Sequence, residues 1–272
     1  MNSFLPDKNL IIILLLGHLI GDFIFQGNKV YKFKLKGTAG IIWHSFLVSI
    51  AVLGVFLFYT EGYALGLAAF LLTFGFHFPI DLIKYKSRIE EALTFMLDQL
   101  THLISILLAS TILKNIFSVS FKNTTHMRYG IYAIGMIVIV YFLKYFIMSL
   151  YKILEIRNED SKWYFLMETA ERFVIFYFSY MHGFFFLLIA FAVIPRSLYA
   201  INNNKQHIFY DIIISMLISS GAGIVLRKAT LLEPFNGIEF LIVSLSFFAL
   251  SFLIQKLSDV FTMPLDRNTQ IS

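Results

Sequence analysis

Long apolar runs separated by short polar breaks make up most of the chain. They occupy residues 9–27, 39–59, 63–85, 92–113, 129–150, 169–194, 208–226 and 236–256. A helix that crosses a bilayer needs about 20 mostly apolar residues. Backbone groups in hydrocarbon must be paired within the segment or in a closed barrel. These runs are too long and continuous for barrel strands. The pattern therefore predicts an all-α fold, a polytopic transmembrane helix bundle of about eight spans. The loop 227–234 is short, so the last two runs also suit a re-entrant pair.

The break at 151–168 is polar at first and then amphipathic, ending in Trp163, Tyr164, Phe165 and Leu166. It reads as an interfacial amphipathic helix leading into the sixth span. It also marks a seam between residues 1–150, a five-helix part, and residues 151–272, the interfacial helix plus three spans. The two are expected to form one structural domain.

Composition agrees with the pattern. Of 272 residues, 58% are hydrophobic and 14% charged, where an ordinary soluble domain has about 25% charged. Cysteine is absent, which excludes a disulfide framework, a thiolate metal site and a Cys nucleophile. The net charge of +5 reads as membrane topology and not as nucleic-acid binding, because the basic residues sit in short loops. One side collects Lys29, Lys32, Lys34, Lys36, Lys84, Lys86, Arg88, Lys144, Lys152, Arg157, Lys162, Arg172, Arg227 and Lys228. Positive residues favour the inner face, so the N-terminus is expected outside. An even number of spans then puts both termini outside a multi-pass protein of the cell membrane. The first run lacks a basic leader region and a cleavage site, and no signal peptide is read there.

Ionisable residues inside a membrane cost about 2.5–3.5 kcal/mol each on insertion scales. The first four spans nevertheless carry many. Span one has His18, Asp22 and Gln26 at i, i+4 and i+8, all on one face. Span two has His44. Span three has His77, Asp81 and Lys84, and Pro79 between the first two should kink the helix or free the carbonyl of Gly75. Span four has Asp98, Gln99 and His102. At 1.5 Å per residue from the charged flanks, these groups all fall about 10–16 Å deep. They form one layer in the inner half of the membrane.

Histidine and carboxylate are the usual non-thiol ligands of zinc, and carboxylates also suit manganese or iron. The layer therefore predicts a divalent metal ion, with His18, Asp22, His77, Asp81 and His102 as ligands or their supports. Asp98 is expected as a spare base, with His44 and Gln26 orienting. Three other readings stand beside this. Each His–Asp pair could be an interhelical hydrogen bond. The layer could carry protons or cations in a transporter or channel. The chain could also be a structural or sensor subunit. Lys84 is expected to reach out to headgroups, His182 to be a packing or interfacial histidine, and Glu168–Arg172 to be a salt bridge at a helix start. Asp211 and Glu239 receive no role.

The motifs His18-x3-Asp22-Phe23-x2-Gln26, His44, His77-x3-Asp81-x2-Lys84 and Asp98-Gln99-x2-His102 resemble a bacterial membrane-protein family of unknown function, the domain numbered 3307. The resemblance covers roughly residues 10–105, and Glu171-Arg172 is similar to a later Glu-Arg motif of that family. The small residues expected before that motif are replaced here by Leu166-Met167-Glu168-Thr169-Ala170. The family brings no established activity. It is similar in style to another inner-membrane group described as metal-dependent hydrolases. The resulting expectation is a metal-dependent membrane hydrolase, acting at the inner face on a lipid-linked or membrane-delivered substrate. Its partners would be the bilayer and that lipid, with no nucleic acid.

Overall fold

The computed structural model describes residues 7–87, 91–122, 126–154, 162–230 and 234–268. Arg88, Arg157 and residues 155–161 of the expected interfacial helix lie outside them. The described chain is helical, with one isolated bridge between Thr60 and Phe121. Its helices are α1 Lys8–Leu19, which continues as a π-helical turn Ile20–Ile24, α2 Asn28–Lys34, α3 Thr38–Tyr59, α4 Tyr63–Lys86 and α5 Glu91–Ile116. There follow α6 Met127–Ile137, joined through a π-helical turn Val138–Phe142 to α7 Leu143–Ile153, and α8 Lys162–Met181. The last are α9 Phe184–Leu187, α10 Ile189–Ala192, α11 Ile194–Asn202, α12 His207–Ala229 and α13 Gly237–Asn268.

Seven stretches are long and apolar enough to cross a membrane. They are α3, α4, Leu93–Ile116, Met127–Ile153, Phe184–Asn202, α12 and Gly237–Thr262. The pair α1 and α2, bent by 90°, makes an eighth if counted as one span. The protein is thus an all-α, multi-pass membrane protein. Some hydroxyls within the helices are satisfied by the helix itself, as with Ser49 on the carbonyl of Ser45 and Thr262 on that of Ser258. Helix α4 runs through Pro79 without interruption.

The chain packs as two units. One comprises residues 1–90, 96–130 and 236–272, and the other residues 91–95 and 131–235. The division does not fall at residue 151: residues 131–153 pack with α8 and α12, and α13 returns to the N-terminal helices.

In the first unit the Asp7 carboxylate caps α1 by accepting from the amides of Asn9 and Leu10. Helices α1 and α3 then meet at backbone distance. A Cβ on Gly17 would lie 2.6 Å from Val52 Cα, and one on Gly21 would overlap Val48. This is the small-xxx-small contact of membrane helix pairs. Gly17 on Val52 and Gly21 on Val48 make the two helices antiparallel, so the Lys8 end of α1 lies toward Tyr59. At that end Tyr59 donates to the His126 carbonyl, Glu61 and Lys122 bond the opposing backbone, and Arg128 pairs with Glu239 at 2.7 Å. At the other end the Asp259 carboxylate accepts from the Lys29 amide at 2.8 Å, and Trp43 donates to Thr262 at 3.0 Å. Helix α13 therefore starts where α1 starts and finishes at the far end.

The expected sixth span, 169–194, is not one helix. The chain stops at His182 and Gly183, both at φ 60°, and turns back. Only a residue tolerant of the left-handed region ends a helix cheaply this way, and glycine is the usual one. His182 is exposed and not packed; its Nδ1 accepts from the Gly183 amide at 2.6 Å. Arg227 donates to the last carbonyls of α8, on Tyr180 and Met181, both at 3.0 Å. Arg172 meets Ser215 at the other end of α8. Helices α8 and α12 thus run parallel, with α9–α11 returning between them in the chain.

We expect a cysteine at Lys8 to react with a membrane-impermeant maleimide from the side opposite to a cysteine at Lys36. An epitope tag appended after Ser272 should be read from the Lys36 side. A tag read from the Lys8 side would restore the even count.

Candidate functional site

The adjacent faces of α1 divide the labour of the first unit. Gly17 and Gly21 seat the helix on α3, and His18 and Asp22, one residue on in each case, turn to the interior. Asp22 falls within the π-helical turn Ile20–Ile24. Such turns are short, rare and frequent at functional sites.

The structure brings His18, Asp22, His44, His77, Asp81, Asp98 and His102 together, all buried. Nε2 of His44 lies 2.9 Å from Asp22 Oδ1, a hydrogen bond, and 3.6 Å from Asp81 Oδ2. Nε2 of His77 is 3.2 Å from Asp81 Oδ2 and 3.7 Å from Asp22 Oδ1. Nε2 of His18 is 3.8 Å from Asp22 Oδ2. Nε2 of His102 is 3.2 Å from Asp98 Oδ1. The rings of His77 and His102 stack at 4.3 Å, and that of His18 lies 4.8 Å from His102 and 5.3 Å from His77. Nε2 of His18, His77 and His102 are buried without meeting hydrogen-bond geometry.

Three sets of donors each lie within 4.8 Å of one another: His18, His77 and His102; Asp22, His44 and His77; and Asp81, Asp98 and His102. The first is a three-histidine set and the second a two-histidine, one-carboxylate set, both known for catalytic zinc. The second also suits iron. A small cavity lined partly by His18, His77, Thr73, Phe76 and Ser105 adjoins the histidines.

Two lysines belong to this site that the sequence pattern assigns elsewhere. Lys34 was read as part of a basic flank. The 90° bend before α2 swings it back, and its Nζ lies 2.8 Å from Asp81 Oδ2. Gly40 makes room: a Cβ there would collide with the carbonyl of Phe33 and come within 2.8 Å of Lys34 Cα. Gly40 lies one turn before His44 on the same face, so this contact sets Lys34 beneath the cluster. Lys84 does not reach for headgroups. Its Nζ sits 2.6 Å from Asp98 Oδ2. Lys84 and Gln99 hold Asp98 Oδ2, and His102 faces Oδ1. Gln99 also donates to Asp22 Oδ2 at 3.4 Å. Gln26 lies in the bend after the π-helical turn, and its Oε1 has no hydrogen-bond partner among the described residues.

The second unit holds a separate buried network. Arg172 pairs with Glu168, lies 3.4 Å from Asp211 Oδ1 and donates to Ser215 at 3.0 Å. Arg196 lies 3.2 Å from Glu171 and 3.0 Å from Asp211 Oδ2, which also accepts from the Tyr164 hydroxyl at 3.0 Å. Both arginines are fully buried. Asp211, to which the sequence lent no role, is the hub, and Glu168–Arg172 is one edge of the network and not a surface bridge. The signal was present in the charges of 196 and 211, but the unseen turn at 182–183 placed them at the wrong end.

Residues 10–131 match the family described as Protein of unknown function (DUF3307). The match covers every residue of the His/Asp cluster and both lysines, and ends before the second network. No curated protein and no solved structure matches the chain.

Removing one partner from a buried ion network costs about 3–5 kcal/mol. Arg196→Met should lower the thermal midpoint in detergent sharply, whereas His126→Ala, at an exposed position, should leave it unchanged. An unshifted midpoint for Arg196→Met would show the network to be slack.

Proposed function

We propose that the protein is a metal-dependent membrane hydrolase, with a divalent cation of the zinc, manganese or iron class held by the histidines and Asp22. One observation carries the reading. The buried imidazoles of His18 and His77 approach Asp22 at 3.8 and 3.7 Å, and that of His44 approaches Asp81 at 3.6 Å. These are too long for hydrogen bonds. Donors about 2.0 Å from a tetrahedral zinc are about 3.3 Å apart, so the spacing suits groups that share a cation.

The substrate class follows from the lysines. Lys34 and Lys84 have side chains 15% and 30% exposed, while Asp81 and Asp98 beneath them are at 0% and 4%. The site therefore opens toward the end that carries Lys29, Lys32, Lys36 and Lys86. Basic residues favour the inner leaflet face, and ammonium groups suit a phosphate. We assign a lipid-linked phosphoester, met at the inner face of the cell membrane, with the Lys8 end outside and the Asn268 end inside. In hydrolysis the water oxygen adds to phosphorus and the P–O bond to the lipid alcohol breaks. One proton leaves the water and one reaches the departing alkoxide. A bound cation would lower the pKa of its water toward neutrality and polarise the phosphoryl oxygen. Asp81 and Asp98 each present an Oδ1 with no hydrogen-bond partner among the described residues, and either is placed to take the water proton.

His18→Ala and His102→Ala should insert and purify normally yet lose bound metal. Melting with and without chelator should show a gap in the wild type that closes in both variants. Vesicles carrying a lipid phosphomonoester should release inorganic phosphate only with metal-loaded wild type. Metal flux into proteoliposomes without phosphate release would favour a transporter instead.

A further inference from the structure

We infer that the centre takes two divalent cations, bridged by the carboxylate of Asp22. This rests on the metal reading above and makes its stoichiometry specific.

The two oxygens of Asp22 face different histidines. Oδ1 lies 2.9 Å from His44 and 3.7 Å from His77. Oδ2 lies 3.8 Å from His18. The His18 ring in turn lies 4.8 Å from that of His102. One cation position is thus bounded by Asp22 Oδ1, His44 and His77, and the other by Asp22 Oδ2 and His18, with the donors of His102 and His77 within 4.8 Å of that of His18. A carboxylate bound through both oxygens is a common bridge, and paired catalytic ions sit about 3.5–4 Å apart.

Counting donors leads to the same result. A tetrahedral ion takes at most four protein ligands. Asp81 and Asp98 are already held by Lys34 and Lys84 at 2.8 and 2.6 Å, and their ammonium groups serve as fixed cations there. That leaves Asp22 and four imidazoles. If His44, His77 and Asp22 hold one ion, Nε2 of His18 and His102 remain, both buried and without a hydrogen bond. A buried polar atom with no partner is costly in hydrocarbon. A second ion satisfies both. Charge also fits. With neutral histidines, three carboxylates and two ammonium groups leave one negative charge on Asp22, the group that bridges. Two divalent ions then give the centre an excess of positive charge, which an anionic substrate would complete.

The position of Asp22 in the π-helical turn accounts for its double reach. In a regular helix His18 and Asp22, one turn apart, would stack on a single line. The π-helical turn widens the helix locally and lets the carboxylate face His44 across the α1–α3 contact while staying beside His18.

The test uses the full-length protein in detergent, loaded with manganese(II) and freed of excess ion. Elemental analysis should give two manganese per chain, and electron paramagnetic resonance should show a spin-coupled pair. His18→Ala and His44→Ala should each retain one ion with an uncoupled six-line spectrum, and Asp22→Asn should abolish the coupling. One manganese per wild-type chain with the uncoupled spectrum would overturn the pair and leave the single-metal reading standing. No retained manganese, or zinc when loaded in its place, would overturn both.

Discussion

A carboxylate inside a bilayer has no water to share its charge, and Asp22 is such a group. It is buried at a backbone-close helix contact, where Gly17 and Gly21 bring α1 onto Val48 and Val52 of α3. That closeness puts Asp22 within reach of His44 and fixes the first unit around it. His77 comes to it from α4, and Gln99 from α5. Substituting a larger residue at either glycine would push α1 away and separate Asp22 from His44. The packing and the chemistry of this unit are therefore one requirement.

The same requirement is met differently in the two units. In the first, histidines outnumber the groups that could neutralise them by hydrogen bonding, and several nitrogens stay without partners. In the second, guanidinium groups from α8 and α11 meet carboxylates from α8 and α12. Arg172 and Arg196 are permanently charged and offer planar forks. Such a network binds helices to one another and has no need of an added ion. Imidazoles are neutral ligands with one lone pair each, and they gain most from a cation. The residue types, more than their number, separate a centre from a brace.

The histidines and aspartates were legible in the chain because they are expensive. Nothing but function or a partner justifies His18, Asp22, His77, Asp81, Asp98 and His102 in apolar runs, and helical spacing puts the pairs on common faces. The fold class was legible for the same reason. The lysines were not, because a basic residue at the end of a span is ordinarily a flank. Only the bend between α1 and α2 distinguishes Lys34 from its neighbours, and only the tertiary position of Asp98 distinguishes Lys84. The turn at His182-Gly183 was lost inside a long aromatic run whose hydropathy continues on both sides. The motif Gly17-x3-Gly21 was readable as a helix contact and would have predicted which face of α1 meets α3.

The polarity of α8 bears on how the chain enters the membrane. Glu168, Glu171 and Arg172 each cost about 2.5–3.5 kcal/mol to insert without partners, so this helix is a poor substrate for insertion by itself. Its partner Asp211 follows Arg172 by 39 residues. At a synthesis rate of about 5–20 residues per second, that is a wait of about 2–8 s. During this interval α8 must linger at the interface or in the insertion machinery. It settles only when α11 and α12 arrive with Arg196 and Asp211. Until then the charges of α8 lack the partners that α11 and α12 bring.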